Sequence, residues 1–215
     1  MAIDSEEFFE NYFRKLTDQA PYPWQRKLFL CFSSAVGEPW PEVVDLPTGA
    51  GKTSVLHVWL LALAWSIHVG ASSVPRRLAW IVNRRVVVDQ VTTEVEKILK
   101  RLAEDASCAD LRDLLARASL SPVALAASTL RGQHADKGEW SRDPSTPAVV
   151  VGTVDMIGSR LLFRGYRAGR YYRPIHAGLL GVDTLIVNDE AHLSPALARL
   201  LASVREHGPA AKISG

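Results

Sequence analysis

Cysteine is scarce in this sequence. Only Cys31 and Cys108 occur in 215 residues, and no C-x-x-C pair is present. That leaves neither a disulfide framework nor a cysteine-built zinc site, and it fits a reducing compartment, the cytoplasm. An excess of one charge is also lacking. Twenty-five basic residues face 23 acidic ones, for a net charge of +2, so any attraction for a polyanion has to come from a local surface. The N-terminus, Met-Ala-Ile-Asp-Ser-Glu-Glu, has no basic start followed by an apolar core and is not a secretory signal. The longest apolar run, Ser54 to Val69, is too short for a membrane span and carries His57 and His68. It reads instead as a helix buried on both sides, and no membrane partner is expected. Internal repeats and low-complexity tracts are absent.

What is present is an ordinary globular composition, with 47% hydrophobic and 22% charged residues. A chain of this size buries roughly 70% of its unfolded surface and needs no covalent staple. One α/β domain is expected over residues 23–215, preceded by a helix and lead-in over 1–22. Asp4 and Glu7 have the spacing of a capping box, and Phe8, Phe9, Tyr12, Phe13 and Leu16 then recur at helical spacing. Ala20-Pro-Tyr-Pro-Trp24 breaks that helix and leads into a second one carrying Gln25, Leu28 and Phe29. Strands are expected at 42–46, 78–83, 123–127, 148–152 and 184–188, as continuous apolar runs. Helices are expected between them at 52–69, 85–102, 111–118, 154–162 and 194–205. Continuous rather than alternating strands call for a mostly parallel sheet with helices on both faces. The polar stretch Gly132–Pro147 reads as a mobile surface loop.

Asp45-Leu-Pro-Thr-Gly-Ala-Gly-Lys-Thr53 sits between an expected strand and a long helix. The general phosphate-loop pattern starts on glycine, where this chain has Leu46. Pro47, Thr48, Gly49, Ala50 and Gly51 form a turn whose glycines let successive backbone N–H groups point at phosphate oxygens, ahead of a helix N-terminus. Lys52 suits the β- and γ-phosphates of ATP, and the Thr53 hydroxyl suits Mg²⁺. Leu185-Ile-Val-Asn-Asp-Glu-Ala-His192 is the second element: an apolar strand delivering two carboxylates at its C-terminal end. Asp189 suits the metal shell and Glu190 the orientation and deprotonation of a water, with His192 beside them. Taken alone, an acidic pair at a strand end also reads as a helix cap.

Together, Pro-Thr-Gly-Ala-Gly-Lys-Thr and Asp-Glu-Ala-His resemble a superfamily 2 helicase, first RecA-like domain. That resemblance implies a RecA-like P-loop fold, ATP and Mg²⁺ as ligands, and a role for Gln25 of Pro23-Trp24-Gln25 in reading adenine. A carboxamide offers both the donor and the acceptor that the adenine edge needs. Ile81-Val-Asn-Arg-Arg-Val-Val-Val-Asp-Gln90, Ser128-Thr-Leu-Arg-Gly-Gln133 and Gly152-Thr-Val-Asp-Met-Ile-Gly-Ser-Arg160 each follow a strand. They nominate Arg84, Arg85, Ser128, Arg131, Thr153 and Arg160 as contacts to a nucleic-acid backbone, a mode that positions without reading sequence. A separate stretch, Arg164-Gly-Tyr-Arg-Ala-Gly-Arg-Tyr-Tyr-Arg173, interleaves aromatics with arginines. It reads equally well as a single-strand recipe and as a loop with packed tyrosines and solvated arginines.

The motifs resemble most specifically the CRISPR-associated helicase-nuclease of type I systems, from about Trp24 to about Leu200. The resemblance implies an ATP-dependent DNA helicase or translocase acting on single-stranded DNA in invader degradation, with a CRISPR surveillance complex as partner. The chain departs from the family in two respects. None of its six histidines is followed by Asp, so the nuclease doublet is missing, and it ends at Gly215 before a Ser-Ala-Thr motif and a second RecA-like domain. An isolated chain of this kind is expected to bind ATP and to hydrolyse it poorly. Two alternatives stay open: another superfamily 2 translocase or RNA helicase, and a non-catalytic module that binds nucleic acid or a partner protein.

Overall fold

A computed structural model describes residues 4–34, 40–47, 49–71, 73–130, 138–166 and 168–207. The chain divides into two compact units. One comprises Met1–Pro75 with Glu94–Ala124, the other Arg76–Thr93 with Leu125–Gly215.

The first unit is helical among its described residues. Helix α1 (Ser5–Thr17) buries Phe8, Phe9, Tyr12, Phe13 and Leu16, the stripe expected from their spacing. Asp4 does hold the N-cap position, but its side chain makes no capping bond, so the expected box is not formed. Glu6 and Glu7 in the first turn still complement the helix dipole. The helix stops at Asp18, whose backbone is left-handed at φ 59° and whose N–H returns to the Arg14 carbonyl. Helix α2 (Pro23–Ser33) begins on a proline, which loses no hydrogen bond there. It lays Phe29 flat on Phe9 at 4.5 Å between ring centroids. Helix α3 (Val55–His68) is buried at every position from Val55 to Ala64, as a helix covered on both sides must be. Its Trp59 satisfies its indole N–H on the Pro75 carbonyl at 2.8 Å. Helix α4 (Arg85–Glu104) contributes residues to both units, and its Arg101 pairs with the Asp18 carboxylate. Helix α5 (Ala109–Ala116) packs against α3.

Among its described residues the second unit is built on four parallel strands, β1 (Arg77–Val82), β2 (Ala126–Leu130), β3 (Ala148–Thr153) and β4 (Thr184–Asn188), in the order β2-β3-β1-β4. Helices α6 (Glu139–Arg142), α7 (Val154–Leu161), α8 (Tyr172–Gly181) and α9 (Pro195–His207) complete it. This is an α/β arrangement with a parallel sheet flanked by helices. Strand β1 is buried along its whole length, which explains why its sequence is a run and not an alternation. On one face, Ala79, Ile81, Ala126, Leu130, Ala148 and Val150 join Trp140, Met156, Ile157, Leu161, Leu180 and Leu197 in one core. On the other, Thr129 meets Thr92 of α4, hydroxyl to hydroxyl at 3.0 Å.

Two details fix the sheet's ends. Gly152 stands where a Cβ would come within 3.2 Å of both Ile157 Cγ1 and Leu130 Cβ, so the turn from β3 into α7 needs its missing side chain. At the opposite end, Arg77 is buried and donates to the carbonyls of Leu179, Pro144 and Val182 and to the Asp183 carboxylate. Burial pushes the Arg77 guanidinium below its ordinary value, with Asp183 pulling the other way. The carbonyl ring is what makes that buried cation tolerable.

Several expected elements are corrected. Residues 42–46 form no strand, and Val43 is 80% exposed. Apolar β-formers mark a candidate strand, but only a paired neighbour makes one. The strand expected at 123–127 lies at Ala126–Leu130, because its register is set by pairing Ala126 with Ala148. Within the expected loop 132–147, the described part carries α6, whose Trp140 is buried. Helix α8 falls outside the expected helices; Pro174, Gly178 and Gly181 hide its period.

Candidate functional site

The phosphate-loop segment belongs to the first unit. Gly49 and Gly51 both have left-handed backbone, at φ 85° and 73°, a conformation that residues with a Cβ adopt only at a cost. Between them the Ala50 N–H closes a turn on the Pro47 carbonyl at 3.2 Å. A single 3₁₀ turn, Lys52–Ser54, then leads into α3. Among the described residues beyond its chain neighbours, no atom stands within 4 Å of where a Cβ on Gly49 would project, so that side of the turn is open. Lys52 is exposed and Thr53 half-buried. Thr48 lies outside the described residues.

The loop is tied down from α2. Gln25 is only 2% exposed, and both ends of its carboxamide are engaged. Its Oε1 accepts from the Tyr22 N–H at 2.7 Å, and its Nε2 donates to the Ser54 hydroxyl at 2.6 Å. That hydroxyl in turn donates to the Gly51 carbonyl at 2.6 Å. Trp24 donates its indole N–H to the Ala50 carbonyl at 3.2 Å. In this state Gln25 faces the loop backbone and fixes its curvature. Trp24 is a loop-holding residue that the sequence reading passed over; its position beside Gln25 was the only signal.

The acidic segment belongs to the second unit, at the C-terminal ends of the strands. The parallel register places Thr153 beside Val82, and Asn188 beside Ile81. The chain leaves β4 with the Asp189 N–H still bonded to the Ile81 carbonyl at 2.9 Å. Glu190 is then left-handed at φ 53°, an unusual backbone for glutamate, and a 3₁₀ turn Ala191–Leu193 follows. Asn83, at the end of β1, donates from Nδ2 to the carbonyls of Asp189 (3.4 Å) and Glu190 (3.3 Å). Asn188 bonds the buried Ser194 hydroxyl. Two asparagines thus hold the turn that carries the carboxylates, and neither was nominated from sequence. Asp189 is half-buried, while Glu190 and His192 are exposed.

Of the six residues nominated for a nucleic-acid backbone, Arg84 and Arg85 are exposed where β1 gives way to α4, and Thr153 is half-buried at the start of α7. Two are corrected. Ser128 is buried inside β2, with no partner for its hydroxyl among the described residues. Arg160 is 3% exposed and donates to the Met156 carbonyl at 3.0 Å. The alternating burial of a strand and the inward face of α7 decide both, and neither is visible in a motif. Arg131 lies outside the described residues.

Among the described residues no cluster of three histidine, cysteine or acidic side chains could hold a metal by itself. The nominated donors, the Thr53 hydroxyl and the Asp189 carboxylate, are hard oxygens. Each, in its own unit, is the type of donor that magnesium takes. No described helix is long and apolar enough to cross a membrane. No family model, curated protein or solved structure matches this chain.

Proposed function

We propose that this chain binds Mg-ATP and is the RecA-like, ATP-binding motor domain of an ATP-dependent DNA helicase or translocase. The observation that carries the reading is the left-handed pair Gly49 and Gly51, with open space at Gly49, directly ahead of Lys52 and Thr53. A turn of that shape aims backbone N–H groups outward, and the adjoining helix start adds favourable potential for an anion. Parallel strands delivering Asp189 and Glu190 at their C-terminal ends support the reading, since ligands of such sheets bind there.

In this mechanism Lys52 would neutralise the β- and γ-phosphates. Thr53 in the first unit and Asp189 in the second are the residues that would hold Mg²⁺, whose charge would offset that of the phosphate oxygens. Glu190 orients a water and takes its proton, with His192 alongside. Gln25 holds the loop through Ser54, and its place in the upstream motif supports a role in reading adenine. Arg84, Arg85 and Thr153 contact a nucleic-acid backbone. The sequence motifs further support a place in type I CRISPR interference, with single-stranded DNA as track and a surveillance complex as partner. Titrating a fluorescent ATP analogue with magnesium into wild type and Lys52→Ala tests the reading. Loss of binding in the variant with an unchanged circular dichroism spectrum is expected; equal affinity refutes the assignment.

A further inference from the structure

The stretch from Phe163 to Arg173 lies outside every role assigned above. It holds no carboxylate and four arginines, so this segment alone carries +4 where the whole chain carries +2. Aromatic exposure is concentrated in the same place. Among the described residues the exposed aromatic side chains are Tyr22, Phe163, Tyr166, Tyr171 and Tyr172, and Tyr171 reaches 84%. Arg164, Arg170 and Arg173 stand exposed among them.

The segment is held rather than slack. The N–H groups of Arg164 and Gly165 both bond the Ser159 carbonyl, at 2.8 and 2.9 Å. Ala168 closes on Gly165, and Tyr172 on Gly169. Phe163 is 62% exposed with a left-handed backbone at φ 60°. That backbone is unfavourable for a bulky residue, and here it presents an aromatic ring to water instead of to the core. Arg173 fixes its stem by donating from Nε to the Ala168 carbonyl at 3.2 Å. Exposed rings interleaved with exposed guanidinium groups match one ligand chemistry well: unpaired bases that stack, on a strand of phosphates that attract.

We propose that Phe163, Tyr171 and Tyr172, with Arg164, Arg170 and Arg173, form a stacking platform for single-stranded nucleic acid. The inference rests on these exposed side chains and not on the nucleotide assignment, so either can fail alone. The test uses the whole chain without nucleotide and follows the anisotropy of labelled oligothymidine, oligouridine and a duplex across a salt series. Wild type is expected to bind single strands more tightly than the duplex, and the two single-strand probes show whether DNA or RNA is preferred. The double variant Phe163→Ala/Tyr171→Ala is expected to lose about 10-fold or more in single-strand affinity with its salt slope intact. Tyr171→Phe, which keeps the ring, is expected to bind as wild type does. Arg164→Gln/Arg170→Gln is expected to flatten the log–log salt slope by about 1.4, from about 0.7 per lost phosphate contact. An unchanged circular dichroism spectrum and urea midpoint in the aromatic variant show that the fold is retained. The proposal is overturned if the aromatic variant binds as wild type, if duplex binds as tightly as single strands, or if wild type binds no strand.

Discussion

His57 provides the sharpest link between this fold and a measurable number. It sits in the fully buried half of α3, 7% exposed, with the Phe13 ring edge-on at 6.0 Å and no partner for Nδ1 among the described residues. Burial pushes its pKa from 6.5 down to about 4, against a weaker upward pull from Glu94. The imidazole is therefore neutral in the folded chain, and between those two values only the unfolded chain takes up the proton. Stability from this group is fully present above pH 6.5 and is lost as pH falls towards 4. At about 1.4 kcal/mol per pH unit, the loss between pH 6.5 and pH 4.5 is about 2–3 kcal/mol. His57→Leu removes the titrating group and conserves most of the volume. It should change stability by less than about 1.5 kcal/mol near pH 8. As pH falls from about 6.5 to about 4.5, the variant should gain on wild type by the same 2–3 kcal/mol. Urea unfolding of both proteins across that range, followed by tryptophan emission, measures the difference with the shared carboxylates cancelled. A difference that stays constant with pH refutes the neutral, buried assignment. So does a histidine NMR titration placing the midpoint near 6.5.

Glu190→Gln keeps shape and hydrogen bonding but takes no proton. It is expected to retain Mg-ATP affinity and lose phosphate release, and unchanged turnover would remove Glu190 from the role of base. Gln25→Ala leaves the Tyr22 N–H and the Ser54 hydroxyl without their partner. It should cost about 1–3 kcal/mol in urea unfolding and weaken ATP-analogue binding through the loosened loop. Loss of ATP-over-GTP preference with full stability would instead give Gln25 a base-reading role alone. Asn83→Ala frees the Asp189–Glu190 turn and should raise hydrogen exchange there while leaving stability within about 1 kcal/mol; unchanged exchange would mean the strand alone holds the turn. Gly152→Ala forces a methyl against Ile157 and Leu130 and should destabilise by about 1–3 kcal/mol in thermal or urea unfolding.

The sequence by itself determined what local chemistry can determine. The stripe Phe8-Phe9-Tyr12-Phe13-Leu16 named the buried face of α1, because helical spacing translates directly into a face. The unbroken apolar run in α3 and the runs in β1 and β3 announced elements covered on both sides, and so a parallel α/β sheet. The glycine spacing at 49 and 51 announced a turn with positive φ, since only glycine takes that backbone without cost. Tertiary structure decided everything that depends on a partner. Val43 and Val44 have the composition of a strand, yet no strand forms there. The strand containing Ser128 moved by three residues to meet β3 in register, and it carried that hydroxyl inside. Arg160 looked like a surface contact until the packing of α7 turned it inward. Gln25 also bonds Tyr22 and Ser54, contacts that its place in a motif does not announce. Asn83 and Asn188 carry no signal in the chain at all, because their work is to hold a turn 106 and six residues away. Spacing along a chain encodes which face a residue shares with its neighbours, whereas the atoms that a face meets are fixed only when distant segments pack.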